Sequence, residues 1–227
     1  TAIVRGYLIS ITVTAIGTIA NLLITVMFAY PLSRRDLPMR NFFAFFLFFT
    51  MLFNGGLVPT YMMWTQTFHI KNTLFALLIP GLLMSAFNVI MMRTYINSNI
   101  PDAVIEAARI DGAGEFRLLL QIVLPMSLPI VATLALLAGL AYWNDWLNGL
   151  YYITDDRLFS IQVILNRMLT KTEMLKQAAT TGVSMGPMPE VGIKMAVAVL
   201  GALPVLIVYP FFQRYFVKGI AIGAVKG

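Results

Sequence analysis

The stretch Glu106-Ala-Ala-Arg-Ile-Asp-Gly112, followed after nine residues by Ile122-Val-Leu-Pro125, is a polar island in an otherwise apolar chain. From Arg93 to Arg117 it gathers four acids and three bases, whereas Asn72 to Met92 before it and Leu118 to Asn144 after it carry no charge. Apolar runs of that length belong in lipid, and the charges that separate them belong in water. The loop is therefore where this protein meets a soluble partner.

Composition supports the membrane reading. Hydrophobic residues make up 59% of the 227, charged residues 11%, and the mean hydropathy is +0.81, against about 25% charged residues in a soluble domain. Gly6 to Ser33, Asn41 to Ile70, Asn72 to Met92, Leu118 to Asn144 and Met195 to Gln213 are each free of Asp, Glu, Lys and Arg. About twenty helical residues cross a bilayer core, so the runs predict five spanning helices in one all-α, polytopic membrane domain over residues 1–227. They lack the polar stripe a soluble helix would show every three to four residues.

Lys and Arg in short connections are retained on the cytoplasmic side. Arg34, Arg35 and Arg40 lie in the first connection, Arg93, Arg109 and Arg117 in the third, and Arg214, Lys218 and Lys226 in the tail. These segments share one side, which places the amino terminus outside and the tail, 214–227, in the cytoplasm. The long outer connection, 145–194, is exempt because long loops translocate largely regardless of charge. The net charge of +6 reflects this bias, with no clustered basic face for nucleic acid.

The chain has no cysteine, so disulfides and thiolate metal sites are excluded, and His69 is its one histidine, read as an interfacial polar residue. It begins at Thr1 without a signal-peptide pattern, which reads as the ordered portion of a longer protein.

In the first span, Thr12, Thr14, Thr18 and Asn21 with Gly6 and Gly17 fit close helix packing. The second opens with six phenylalanines from Phe42 to Phe49, which face lipid and neighbouring helices, and loosens at Asn54-Gly55-Gly56 and Pro59. In the loop of about 94–117, Pro101 and Asp102 start a helix that runs to about Asp111. Gly112 and Gly114 break it, and Glu115 to Leu124 begins a second helix interrupted at Pro125 and Pro129. Small Ala103, Ala107 and Ala108 permit close approach of a partner, while Glu106 and Arg109 supply charge-assisted contacts. In the outer connection, Leu158, Ile161, Ile164, Leu165 and Met168 predict a short amphipathic helix lying on the outer face. An irregular loop over 179–192 follows.

The spacing E-A-A-x3-G-x9-I-x-L-P resembles the EAA loop of binding-protein-dependent ABC importer permeases. The ending Pro204 to Gly227 is similar to the tail of carbohydrate permeases of the maltose-permease type. The Asn54-Gly55-Gly56-x2-Pro59-x-Tyr61 segment and the long outer loop resemble the branch handling lipo-oligosaccharides and uronate-containing oligosaccharides, such as alginate fragments. The resemblance implies a type I importer permease core in the bacterial inner membrane, with the loop as coupling helix through Glu106, Ala107, Ala108, Arg109, Asp111 and Gly112. Its implied partners are a second permease, two ATPase subunits and an outer solute-binding protein, with one span preceding Thr1. Gln213, Tyr215 and Lys218 would lie near the ATPases, and Thr181, Gly182, Met185, Gly186 and Pro187 would touch the binding protein or passively cap the pathway. No G-x4-G-K-[ST] loop occurs, so ATP and Mg belong on the partners and this chain is not itself an enzyme.

Asn54, Tyr61 and Trp64, and at the end of the fourth run Tyr142, Trp143, Asn144 and Asp145, offer the aromatic faces and polar groups that suit sugar rings. The aromatics equally suit a headgroup belt, and Asn88 serves either the pathway or a neighbouring helix. A permease for an amino acid, peptide or ion is the alternative within the family. A secondary transporter needs ionisable residues inside its spans, and a membrane enzyme needs a nucleophile, base or metal cluster there. The uncharged runs offer neither.

Overall fold

A computed structural model describes residues 2–180 and 190–224, with side chains over 2–177, 191–211 and at 213. Thr181, Gly182, Met185, Gly186 and Pro187 lie outside the described residues. Among those described, every regular element is helical.

Helix α1, Ala2–Ser33, runs unbroken for 32 residues, about 48 Å at 1.5 Å per residue. Together with Val191–Phe211 of the last helix it is long and apolar enough to cross a bilayer. Two further pairs reach that length only if each is counted as one bent span. The first is α2, Arg40–Leu52, with α3, Leu57–Met62, which continues to Thr67 as a π-turn. The second is α7, Glu115–Leu118, continued by a π-turn to α8, Leu124–Met126, and then α9, Leu128–Asn144, after an 82° bend. By length and composition the described chain thus holds two spans, or four with the bent pairs, where the apolar runs predict five.

The shortfall lies in the third run. Residues Asn72 to Met92 do not form one helix: α4 is only Phe75–Leu78, and α5 starts at Ala86 and ends at Asn99. Pro80 has no N–H to give, and Gly81 takes a left-handed φ of 71°. Ser85 then caps α5 by accepting from the Asn88 amide at 3.4 Å. Counting apolar residues does not detect such a break. At the second run, the loosening expected at Asn54 is present, where Asn54 Oδ1 accepts from Gly56 N at 2.9 Å. At the fourth run, Pro129 falls in the first turn of α9, where a missing N–H costs nothing, and Pro125 directly follows the π-turn Leu119–Val123.

Two compact units emerge. One comprises Thr1–Ile16, Val58–Pro80 and Leu140–Pro210, the other chiefly Gly17–Leu57 and Gly81–Gly139. In the first unit, α10 is Leu147–Tyr152, a 3-10 turn covers Asp156–Leu158, and α11 is Ile161–Thr180. The expected short surface helix is instead this 20-residue α11, with Ile161, Val163 and Leu165 buried. The reason is Gly6. A Cβ there would stand 2.7 Å from Ile164 Cδ1 and 3.3 Å from the Ile161 backbone, so glycine lets α11 press against α1. Ser10 Oγ then accepts the Ile161 amide at 2.9 Å. Helix α12, Glu190–Ala224, follows.

The second unit packs Val26 and Tyr30 of α1, Leu47 of α2, Met92 and Ile96 of α5, and Leu118 and Leu134 around one core. Ile105 of α6, Asp102–Ile110, joins it. In lipid such packing stabilises through dispersion more than through water exclusion. It fixes α6 to the end of α1.

Candidate functional site

Helix α6 is bounded by two non-helical joints. Pro101 lies extended at φ −63°, ψ 137°, with Asp102 in the first turn and Arg109 in the last, matching the helix dipole. At the other end Gly112 takes φ 79°. The Ala113 amide donates to Ala108 O at 2.9 Å and the Gly112 amide to Arg109 O at 3.0 Å, the pair of bonds of a Schellman closure. Nothing lies within 4 Å of a Cβ at Gly112, so its need for glycine is conformational rather than steric.

Two faces of α6 differ. Ile105 is buried and Ala108 packs beside it on the core. Ala103, Glu106, Ala107 and Ile110, at i, i+3, i+4 and i+7, form an exposed stripe, on which Ile110 is 87% exposed. Phe116, just beyond Gly112, is 76% exposed. Exposed small side chains flanked by two large apolar ones, with one carboxylate, suit the cleft of a protein partner better than water. Glu106 forms no ion pair with a described residue, and Asp111 is exposed at the C-cap.

Arg109 is engaged within the chain. Its guanidinium bonds Asp36 at 2.8 Å and Glu115 at 2.5 Å, and Glu115 in turn accepts from the Tyr30 hydroxyl at 2.5 Å. Arg34 approaches Asp36 at 3.3 Å, and Arg35 pairs with Asp102 at 3.4 Å. The guanidinium holds the Asp36 carboxyl below the usual carboxylate range, while Glu115 and then Asp36 push Arg109 further above its own. A cleft of about 490 Å³ opens beside this cluster. The sequence does not reveal that Tyr30, Arg34, Asp36 and Glu115 gather around Arg109, because pairing over 73 and 85 positions leaves no trace in local spacing.

The pathway candidates divide. Tyr142 is buried, and its hydroxyl donates to Leu78 O at 2.8 Å. Trp143 is buried, donates to Gly201 O at 3.0 Å and stacks on Tyr7 at 6.2 Å. Both are internal struts in this structure. Asn88 is buried on α5 in the other unit, where its amide meets the Ser85 cap. Tyr61 stacks on Tyr152 at 5.7 Å, and Trp64 lies against Phe68 at 5.0 Å. Asn54 is exposed. Asn144 lines a cavity of about 430 Å³ walled by α11 and α12, with Gln162 as its other polar side chain. Asp145, beside it in sequence, accepts the Asn148 amide at 3.2 Å, and burial raises its carboxyl against that bond. Gln213 is exposed on α12, while the side chains of Tyr215 and Lys218 lie outside those described. Among the described residues no cluster of His, Asp and Glu has metal-site geometry.

Known proteins share this architecture. The chain is 38% identical to the polygalacturonan/rhamnogalacturonan transport system permease protein YtcP of Bacillus subtilis, over 99% of its own length and 78% of the relative's. It is 37% identical to Protein LplC of the same organism, over 98% and 74%. A crystal structure of a bacterial ABC transporter involved in the import of the acidic polysaccharide alginate superposes with a TM-score of 0.82 at 30% identity, covering 95% of this chain and 76% of that one. The model of the family described as binding-protein-dependent transport system inner membrane component matches residues 21–222. Its match starts within α1 at Asn21 and takes in the α6 loop with its Schellman glycine, and this chain belongs to that family.

Proposed function

We propose that this chain is one permease subunit of an ATP-driven importer fed by a solute-binding protein, carrying an oligosaccharide and preferring uronate-containing chains. The observation that carries the reading is α6. A helix closed at both ends by non-helical joints presents Ala103, Glu106, Ala107 and Ile110 outward, a shape and chemistry that fit a cleft in an ATP-hydrolysing partner. Glu106 pairs there with a basic residue, Ala107 allows close approach of the partner while Ala108 does the same on the core side, and Gly112 with the Asp111 cap fixes where the helix stops.

Five crossings follow if the α4 break counts as part of a third span. The amino-terminal end then lies outside, α6 and the tail inside, and Gln213, Tyr215 and Lys218 come near the ATPase pair. The loop holding Thr181, Gly182, Met185, Gly186 and Pro187 reaches toward the binding protein. The substrate preference draws on two similar proteins, one a polygalacturonan/rhamnogalacturonan transport permease and one an ABC transporter involved in the import of alginate. Of the pathway candidates, Asn144 keeps the best claim because its amide opens onto a cavity.

Copurification tests the reading. Tagged wild-type protein should bring down a second permease and an ATPase pair, and Glu106→Lys should lose the ATPases. Truncating a charged member of a buried interface pair costs about 2–5 kcal/mol, enough to remove most of a micromolar complex. Retention of the ATPases by Glu106→Lys would discard α6 as the dock.

A further inference from the structure

The ion pairs around α6 have a pattern that docking does not require. Consecutive residues Arg35 and Asp36, just after α1, bind Asp102 and Arg109, which stand two turns apart on one flank of α6. The charge order is plus–minus on the loop and minus–plus on the helix, so the pairing sets one register. None of these residues belongs to the exposed stripe Ala103, Glu106, Ala107 and Ile110. Arg109 also reaches Glu115, and Glu115 accepts from Tyr30, a buried residue of α1.

We propose that Asp36 and Glu115 clamp Arg109 so that any movement of α6 is delivered to α1. They are positioning residues, and this inference rests on the reading of α6 as the ATPase dock. The joints at Pro101 and Gly112 explain the need. A nine-residue helix held between an extended residue and a left-handed glycine can swivel about its ends without carrying its neighbours along. The buried contacts of Ile105 resist translation but leave rotation about the helix axis weakly opposed. Two flank pairs and the Glu115 bridge oppose that rotation. The Arg35–Asp102 pair is largely exposed, 81% and 55%, and such pairs add little stability, so the clamp acts through geometry.

The test uses the whole transporter in proteoliposomes, with sugar uptake measured per ATP hydrolysed. Asp36→Asn and Glu115→Gln should each lower that ratio by about tenfold, within the usual range of coupling between sites. ATPase copurification and basal hydrolysis should stay at the wild-type level. Asp36→Glu, which keeps the carboxylate, should restore the ratio. Bridging Asp36→Cys to Arg109→Cys with a short bis-maleimide should restore it too, since the chain has no other cysteine. An unchanged ratio in both neutral variants overturns the clamp. So does loss of the ATPases from Asp36→Asn, which would make Asp36 part of the dock. If Glu106→Lys keeps its ATPases, the docking assignment falls and the clamp falls with it.

Discussion

The Tyr7 hydroxyl donates to the Leu200 carbonyl at 2.7 Å, the one oxygen that Pro204 leaves without its helical donor. Proline at position i removes the N–H that would bond residue i−4, and a carbonyl left bare in hydrocarbon costs several kcal/mol. The phenol on α1 supplies the missing donor inside the first unit. Tyr7→Phe should therefore destabilise the protein by about 1–3 kcal/mol, read as a lower Tm in nanodiscs. In a Pro204→Ala background the same change should cost much less. Equal costs in both backgrounds would show that the two residues are independent.

Gly112 is held by conformation rather than by space. Substitution should rank Asn above Ala and Ala above Val, because Asn tolerates the left-handed region best and β-branched residues least, with Ala costing about 1–2 kcal/mol. The order should appear in the amount of ATPase pulled down with each variant. A ranking by side-chain size, with Ala above Asn, would contradict the Schellman closure.

Asp145 and Asp36 should respond to pH with opposite signs. Burial raises the Asp145 carboxyl, so its contribution is most favourable below the ordinary value of about 3.9. It declines as pH rises from there through the raised folded value. Asp145→Asn keeps an acceptor for the Asn148 amide and should flatten that decline. Asp36, held down first by its bond from Arg109, contributes above the ordinary value and loses that contribution as pH falls through its depressed one. The effect is small because its side chain is 54% exposed. Thermal unfolding of wild type, Asp145→Asn and Asp36→Asn across acidic to neutral pH separates the two. A decline that persists in Asp145→Asn assigns it to another group.

Topology is accessible directly because the chain lacks cysteine. Ile110→Cys, at an 87% exposed position, should react with an impermeant thiol reagent only after cells are opened. Lys71→Cys should react in intact cells, and Gly227→Cys should follow Ile110→Cys. Labelling of Ile110→Cys from outside would invert the proposed orientation.

The α6 segment was legible because its stops are written in residue types. The sequence predicts a helix from about Pro101 to Asp111, and the structure gives Asp102–Ile110, since proline and glycine act on the backbone locally. The third apolar run misleads because Pro80 and Gly81 interrupt it without adding charge, and the freed carbonyls are met from distant side chains. Tyr142 serves Leu78 O and Asn148 serves Pro80 O in one unit, while Asn21 serves Leu82 O in the other. Trp143 and Tyr142 look like sugar platforms for the same reason they work as struts: each joins an apolar body to one polar tip. Only the partner tells the uses apart, and the partner is remote in sequence.

From Val191 to Phe211, α12 has no buried residue. Within this stretch its carbonyls at Leu200 and Gly201 are pinned by Tyr7 and Trp143, and Val197, Leu200 and Val205 pack partly on Trp143, Ile161 and Leu165, but most of its side chains stay exposed. Its position is set by partition into the bilayer, where each central Leu, Ile, Phe or Val contributes about −0.3 to −0.6 kcal/mol. During synthesis this segment can leave the translocation machinery for lipid before its neighbours have settled. After extraction the same independence becomes a liability. A rod of mostly bare aliphatic surface then depends on detergent along its exposed sides, and aggregation should begin at α12 while the α6 region is still folded.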